Sequence, residues 1–114
     1  MSKKSYQLGI IGAGTMGRII AMAVAEKKVF GRPNILLFDK NKAKLAVLRR
    51  ASFVTTQNLP EVLQSCQLIL LAIKPQDFLS IREEISTYLT KKQLLISLMA
   101  GVGLVSLSTT GAAQ

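Results

Sequence analysis

The chain has 114 residues, enough for one domain with a single core, and 49% of them are apolar. Lysine and arginine outnumber aspartate and glutamate by 15 to 6, giving a net charge of +9, and there is no histidine. That composition removes the commonest general base and the commonest metal ligand, and the scattered carboxylates form no metal-ligand cluster.

Taken in order, the residues alternate between strand and helix patterns. Tyr6 to Ile11 is a short apolar run that stops at three glycines, Gly12, Gly14 and Gly17. Thr15 to about Lys28 carries Met16, Ile19, Ile20, Ala23 and Val24 at the spacing of an amphipathic helix. Gly31 to Asn34 is a turn, and Ile35 to Phe38 is a second strand that ends at Asp39. Asn41 caps a helix running to about Arg50, Phe53 to Thr55 is a third strand, and Pro60 to Ser65 is a short helix.

Leu68 to Ile73, "LILLAI", is polar on neither face, the mark of a strand buried on both sides in a parallel sheet. Asp77 to Tyr88 reads as a helix and Leu94 to Leu98 as a fifth strand. Ala100 to Gly103 is a loop, and Leu104 to Leu107 leaves room for a last short helix. The rhythm predicts an α/β fold: a Rossmann-like, doubly wound parallel sheet with helices on both faces. Residues 1–107 form this domain and residues 108–114 a flexible tail.

The glycines follow a strand and open a helix, the setting in which G-x-G-x-x-G has mechanical meaning. Gly12 permits a tight turn, Gly14 lets the backbone approach a pyrophosphate, and Gly17 lets the helix pack closely on the sheet. Amides near Thr15 and Met16, with the helix dipole, favour phosphate. Asp39 lies 22 residues beyond Gly17, where a carboxylate accepts hydrogen bonds from the adenosine ribose and favours NAD. Lys40, Lys42 and Lys44 read either as a solvated helix face or as cations that reach round to a 2′-phosphate, so NAD and NADP both stay open.

The positive charge also suggests nucleic acid, but the lysines and arginines come in dispersed pairs with no interleaved aromatic residues. A polyanionic small ligand fits them better than RNA or DNA. No run approaches the roughly eighteen apolar residues of a membrane helix, and the N-terminus shows no signal-peptide pattern. Cys66 is the single cysteine, so no internal disulfide forms and a cytoplasmic location is expected. A mean hydropathy of +0.35 is high for a free-standing domain, and some of that apolar surface is expected to pack against something outside this chain.

Three segments, "IGAGTMG", "LLAIKPQ" and "LISLMAGV", occur in an order and spacing that resembles the N-terminal domain of pyrroline-5-carboxylate reductase. The likeness spans Leu8 to about Leu107. The first motif is shared by many dehydrogenases; the other two together are more specific. The resemblance implies reduction of a cyclic imine to proline by hydride from NAD(P)H. It implies that Gly12, Ala13, Gly14, Thr15, Met16 and Gly17 line the pyrophosphate, beside the Asp39 and Lys40 that the residue pattern itself places at the adenosine end. Asn58 is placed towards the adenosine, and Ala72, Ile73, Lys74, Pro75, Ala100 and Gly101 flank the nicotinamide.

Plainer readings remain beside these. Lys74-Pro75 also reads as a strand end, Ala100-Gly101 as a turn and Asn58 as a helix cap. Thr15 stands where the family has asparagine, and the family's "MPNTP"-like segment is missing, as is its C-terminal helical half. The chain is therefore expected to be a cofactor-binding half that needs a helical domain or partner chain, self-associates through exposed apolar surface, and is inactive by itself. The alternatives are the cofactor domain of another dehydrogenase, such as a β-hydroxyacid dehydrogenase, or a stand-alone dinucleotide-binding module.

Overall fold

The computed structural model describes residues 4–98. Strand β1 (Tyr6–Ile11) leads into helix α1 (Thr15–Glu26), and a short 3-10 turn (Arg32–Asn34) delivers the chain to β2 (Ile35–Phe38). Helix α2 (Lys42–Arg50), β3 (Val54–Thr56), α3 (Leu59–Ser65), β4 (Cys66–Leu71), α4 (Pro75–Tyr88) and β5 (Leu94–Ser97) follow. All strand pairs are parallel, in the order β3-β2-β1-β4-β5. This is the expected Rossmann-like sheet. The loop at Ala100 to Gly103, the short helix at Leu104 to Leu107 and the tail over 108–114 lie outside the described residues.

Helices cover both faces because successive crossovers run in opposite directions from β1. On one face, Leu8, Ile10, Ile35 and Leu37 of the sheet pack with Ala21 of α1 and Leu45 and Leu48 of α2. On the other, Ile11, Leu36, Ile69, Leu71 and Leu95 pack with Val62 and Leu63 of α3 and Ile81 and Ile85 of α4. Alternation along each strand sends neighbouring side chains to opposite layers. β4 departs from the expectation of burial on both sides: Ile69 and Leu71 are buried, while Leu68 and Leu70 are only half-buried. No helix among the described residues is long and apolar enough to cross a membrane.

Several element ends shift by a residue or two, each for a stated reason. Helix α1 stops at Glu26 because Lys28 turns left-handed at φ 58, and the Val29 N–H reaches back to the Val24 carbonyl. Ser52, at φ 72, turns the chain so that the buried Phe53 meets Leu48 through its N–H, which delays β3 to Val54. β4 begins at Cys66, which pairs with Tyr6, and ends at Leu71; Ala72 donates one last bond to the Ile11 carbonyl before the chain leaves the sheet. Helix α4 starts at Pro75 rather than Asp77, since proline suits the first helical position.

Gln93 ties the α4–β5 connection to the α3–β4 junction. Its Nε2 donates to the carbonyls of Leu63 at 2.6 Å and Cys66 at 2.7 Å, and its Oε1 accepts from the Thr90 N–H at 2.8 Å. Gln93→Leu orphans both carbonyls and is expected to lower stability by about 2 kcal/mol. Urea unfolding checks it, and an unchanged midpoint would show that water replaces the side chain.

Candidate functional site

After β1 the chain turns to one face of the sheet, and after β4 to the other. The crevice left between them at the strands' carboxyl ends is where open α/β sheets place ligands. A cavity of about 630 Å³ opens there. Of the residues expected to form the site, Gly12, Gly14, Thr15, Met16, Asp39, Lys40, Ala72, Ile73, Lys74 and Pro75 all line it.

The glycine corner has three distinct local problems. Gly12 has φ +117, and a side chain there would collide with the Ala72 carbonyl oxygen and meet Ile73 Cγ2 at 2.8 Å. Gly17 is buried in α1, where a side chain would overlap the Gly12 carbonyl oxygen. Gly14 differs: among the described residues, a methyl group there would meet only the Lys44 Nζ, at 3.9 Å. Its backbone is therefore open to the cavity. Gly14 also heads α1, and no side chain caps that helix and no acidic residue occupies its first turn. The helix-start amides and the positive end of the dipole are left for an anion.

Asp39 closes the corner from β2. Its Oδ2 accepts from the Ala13 N–H at 2.8 Å and its Oδ1 from the Asn41 N–H at 2.9 Å. One carboxylate thus holds both the β1–α1 and the β2–α2 loops. Asn41 Oδ1 in turn caps α2, accepting from Ala43 at 2.9 Å and Lys44 at 3.1 Å. Lys40 and Lys44 are exposed at the rim and both line the cavity.

Other expected residues fall elsewhere. Ala13 is buried behind the loop, with its N–H taken by Asp39. Gly17 packs beneath the corner rather than on its wall. Asn58 is exposed at the head of α3, makes no side-chain cap and does not line the cavity. The turn there is organised instead by Thr56, whose Oγ1 accepts from the Asn58 N–H at 3.0 Å and donates to Glu61 Oε1 at 2.6 Å. Ala100 and Gly101 lie outside the described residues. Asp77, Ser80 and Ile81 of α4 line the cavity without having been anticipated. Their helical spacing just after "KPQ" was the signal that could have found them.

Cys66 opens β4 at the end of the strand away from the cavity and is buried. Burial pushes its thiol up to about 11, which keeps it protonated near neutral pH.

Residues 7–101 match the model of a family described as NADP oxidoreductase, coenzyme F420-dependent. The chain belongs to this oxidoreductase family. Within it, NAD(P)H is the cofactor class expected of the cavity. The chain is 29% identical to pyrroline-5-carboxylate reductase 3 of Rattus norvegicus over 101 residues, covering 89% of this chain and 37% of the rat protein. The structure of a pyrroline-5-carboxylate reductase from Coxiella burnetii superposes with a TM-score of 0.77 at 26% identity, over 86% of this chain and 37% of that one. The Plasmodium falciparum pyrroline carboxylate reductase with NADP bound shares the fold, with a TM-score of 0.70 at 24% identity over 86% of this chain and 35% of that one. The chain thus spans little more than a third of the length of these relatives.

Proposed function

We propose that this chain is the dinucleotide-binding half of an NAD(P)H-dependent reductase acting on a cyclic imine of the pyrroline-5-carboxylate type, in proline synthesis. The observation that carries the reading is the Gly14 corner, where an uncapped helix start and an unobstructed backbone open into the cavity. Similarity to pyrroline-5-carboxylate reductases in both sequence and fold supports the choice of substrate.

In this reading the α1 amides at Thr15 and Met16 receive the pyrophosphate. Ala72, Ile73, Lys74 and Pro75 flank the nicotinamide half, and the apolar Ile11, Ile81 and Leu98 keep water from it. A bound reduced nicotinamide supplies the hydride, which adds to the imine carbon of a substrate already protonated on nitrogen. What the protein contributes is then placement rather than acid–base chemistry, so the lack of histidine is no obstacle.

The imine is held by protein beyond these 114 residues, and a helical domain or a second copy covers apolar side chains such as Ile19 and Val47, which are exposed on α1 and α2. Isothermal titration with NADPH and NADH, beside a steady-state assay with pyrroline-5-carboxylate, tests this. Single-site nucleotide binding without turnover is expected. A folded chain that binds neither nucleotide would overturn the reading, and normal turnover would overturn the division of labour.

A further inference from the structure

We propose that the pole of the sheet opposite the cavity is a docking surface for an anionic phospholipid membrane. The inference is independent of the dinucleotide reading, because the two surfaces lie at opposite ends of the strands.

Along the chain the basic pairs are dispersed, yet the fold gathers three of them. All strand pairs are parallel, so every strand starts at the same end of the sheet. Lys27-Lys28 lie between α1 and β2, Arg49-Arg50 end α2 before β3, and Lys91-Lys92 stand between α4 and β5. All six are exposed. Lys4 precedes β1 and sits over the Tyr6 ring at 5.3 Å. Arg32, before β2, sits over the Phe53 ring at 5.0 Å, and its Nε is buried without an acceptor.

The ordinary reason for a cation at a helix end is the dipole, which about half a charge answers. Each of the three connections brings two full charges. The carboxylates on this half are Glu26, at the end of α1, and Glu83 and Glu84, past the middle of α4. Among the described residues none of them pairs with any of these cations. The excess charge is therefore left facing outward at one pole.

Exposed apolar side chains in the same place set the partner's chemistry. Val29 is 60% exposed between Lys28 and Arg32, in the run "KKVFGR". Lys28 turns left-handed at φ 58 and the Val29 N–H holds the Val24 carbonyl at 3.0 Å, which fixes the tip. Phe30 packs against the core, so Val29 is the side chain left outside. Leu94, also exposed, opens β5 two residues after Lys92. An apolar tip among cations suits a bilayer surface, where the cations meet headgroup phosphates and the tip enters the acyl boundary. Nucleic acid would call for exposed aromatic faces on which bases stack. At this pole Tyr6 and Phe53 are buried and Phe30 is half-buried.

Co-sedimentation tests the assignment, with vesicles of phosphatidylcholine alone and of phosphatidylcholine with about one-third phosphatidylglycerol. The chain is expected to bind the anionic vesicles, to ignore the neutral ones, and to be released at about 0.5 M salt. Arg49→Gln with Arg50→Gln is expected to weaken binding about twentyfold, as two cations lost from a charged lipid surface imply. Arg18→Gln with Lys42→Gln removes equal charge at the other end of α1 and α2, and is expected to stay within about threefold of the parent. Val29→Ser is expected to weaken binding about threefold while keeping the salt dependence. Circular dichroism checks that each variant is folded. A folded parent that leaves anionic vesicles unbound, equal binding to neutral vesicles, or equal losses in the two double variants would overturn the proposal. A chain that ignores vesicles but binds poly(U) RNA, and loses it in Arg49→Gln with Arg50→Gln, would make the pole a nucleic-acid surface instead.

Discussion

Gly14→Val is expected to leave the fold intact and to weaken NADPH binding by about a hundredfold, the loss of roughly two charge-assisted phosphate contacts. Gly14 has φ −78 and ψ −161, an extended conformation that valine adopts readily. Among the described residues the one atom within 4 Å of a first side-chain carbon is the mobile end of Lys44, so no main chain stands against the substitution there and only a modest loss at the head of α1 is expected. The harm falls on the ligand, because two methyl groups would stand where a pyrophosphate must meet the backbone. Circular dichroism and urea unfolding check the first half and nucleotide titration the second. Unimpaired binding by Gly14→Val would move the phosphates away from this corner.

Gly17→Ala is expected to do the reverse, costing about 3 kcal/mol of stability before any ligand is added. The added methyl group overlaps the Gly12 carbonyl oxygen, a main-chain atom, and stands 3.5 Å from Ile10 Cγ2. Relief requires α1 to move off the sheet or the Gly12 turn to open. That turn is pinned, since the Gly12 N–H donates to the Phe38 carbonyl at 2.8 Å and its φ of +117 suits glycine alone. Urea unfolding of Gly17→Ala against the parent measures the loss. A midpoint equal to the parent's would mean that helix and loop pack less closely than described. Two glycines three residues apart thus separate cleanly, one by binding and one by stability.

The alternation of apolar runs and helical spacing was enough to read the order and type of every strand and helix among the described residues, because both patterns are local. The ends were less legible because partners distant in sequence decide them. Cys66 joins the sheet through Tyr6, and Phe53 is drawn under α2 through Leu48. The half-open face of β4 was hidden for a related reason: "LILLAI" records what the strand tolerates on each side, not what covers it.

At the site, the glycine corner, Asp39 and the "AIKP" segment were visible in the chain because each belongs to one strand end and the loop after it. Asp77, Ser80 and Ile81 were not, since only the way α4 lies on the sheet brings them to the crevice. Asn58 shows the opposite limit. Its position at a helix start suggested a cap, whereas Thr56 organises that turn and the exposed Asn58 side chain makes no cap bond.

The double tie made by Asp39 carries one more consequence. Two stretches of chain that would otherwise wander in the free protein are already fastened to each other, so a guest arriving at the crevice finds its berth assembled. The loss of loop freedom is met during folding, association needs no slow rearrangement, and the free and loaded forms should differ little in backbone shape. Cutting that one carboxylate would then slow capture as well as weaken it.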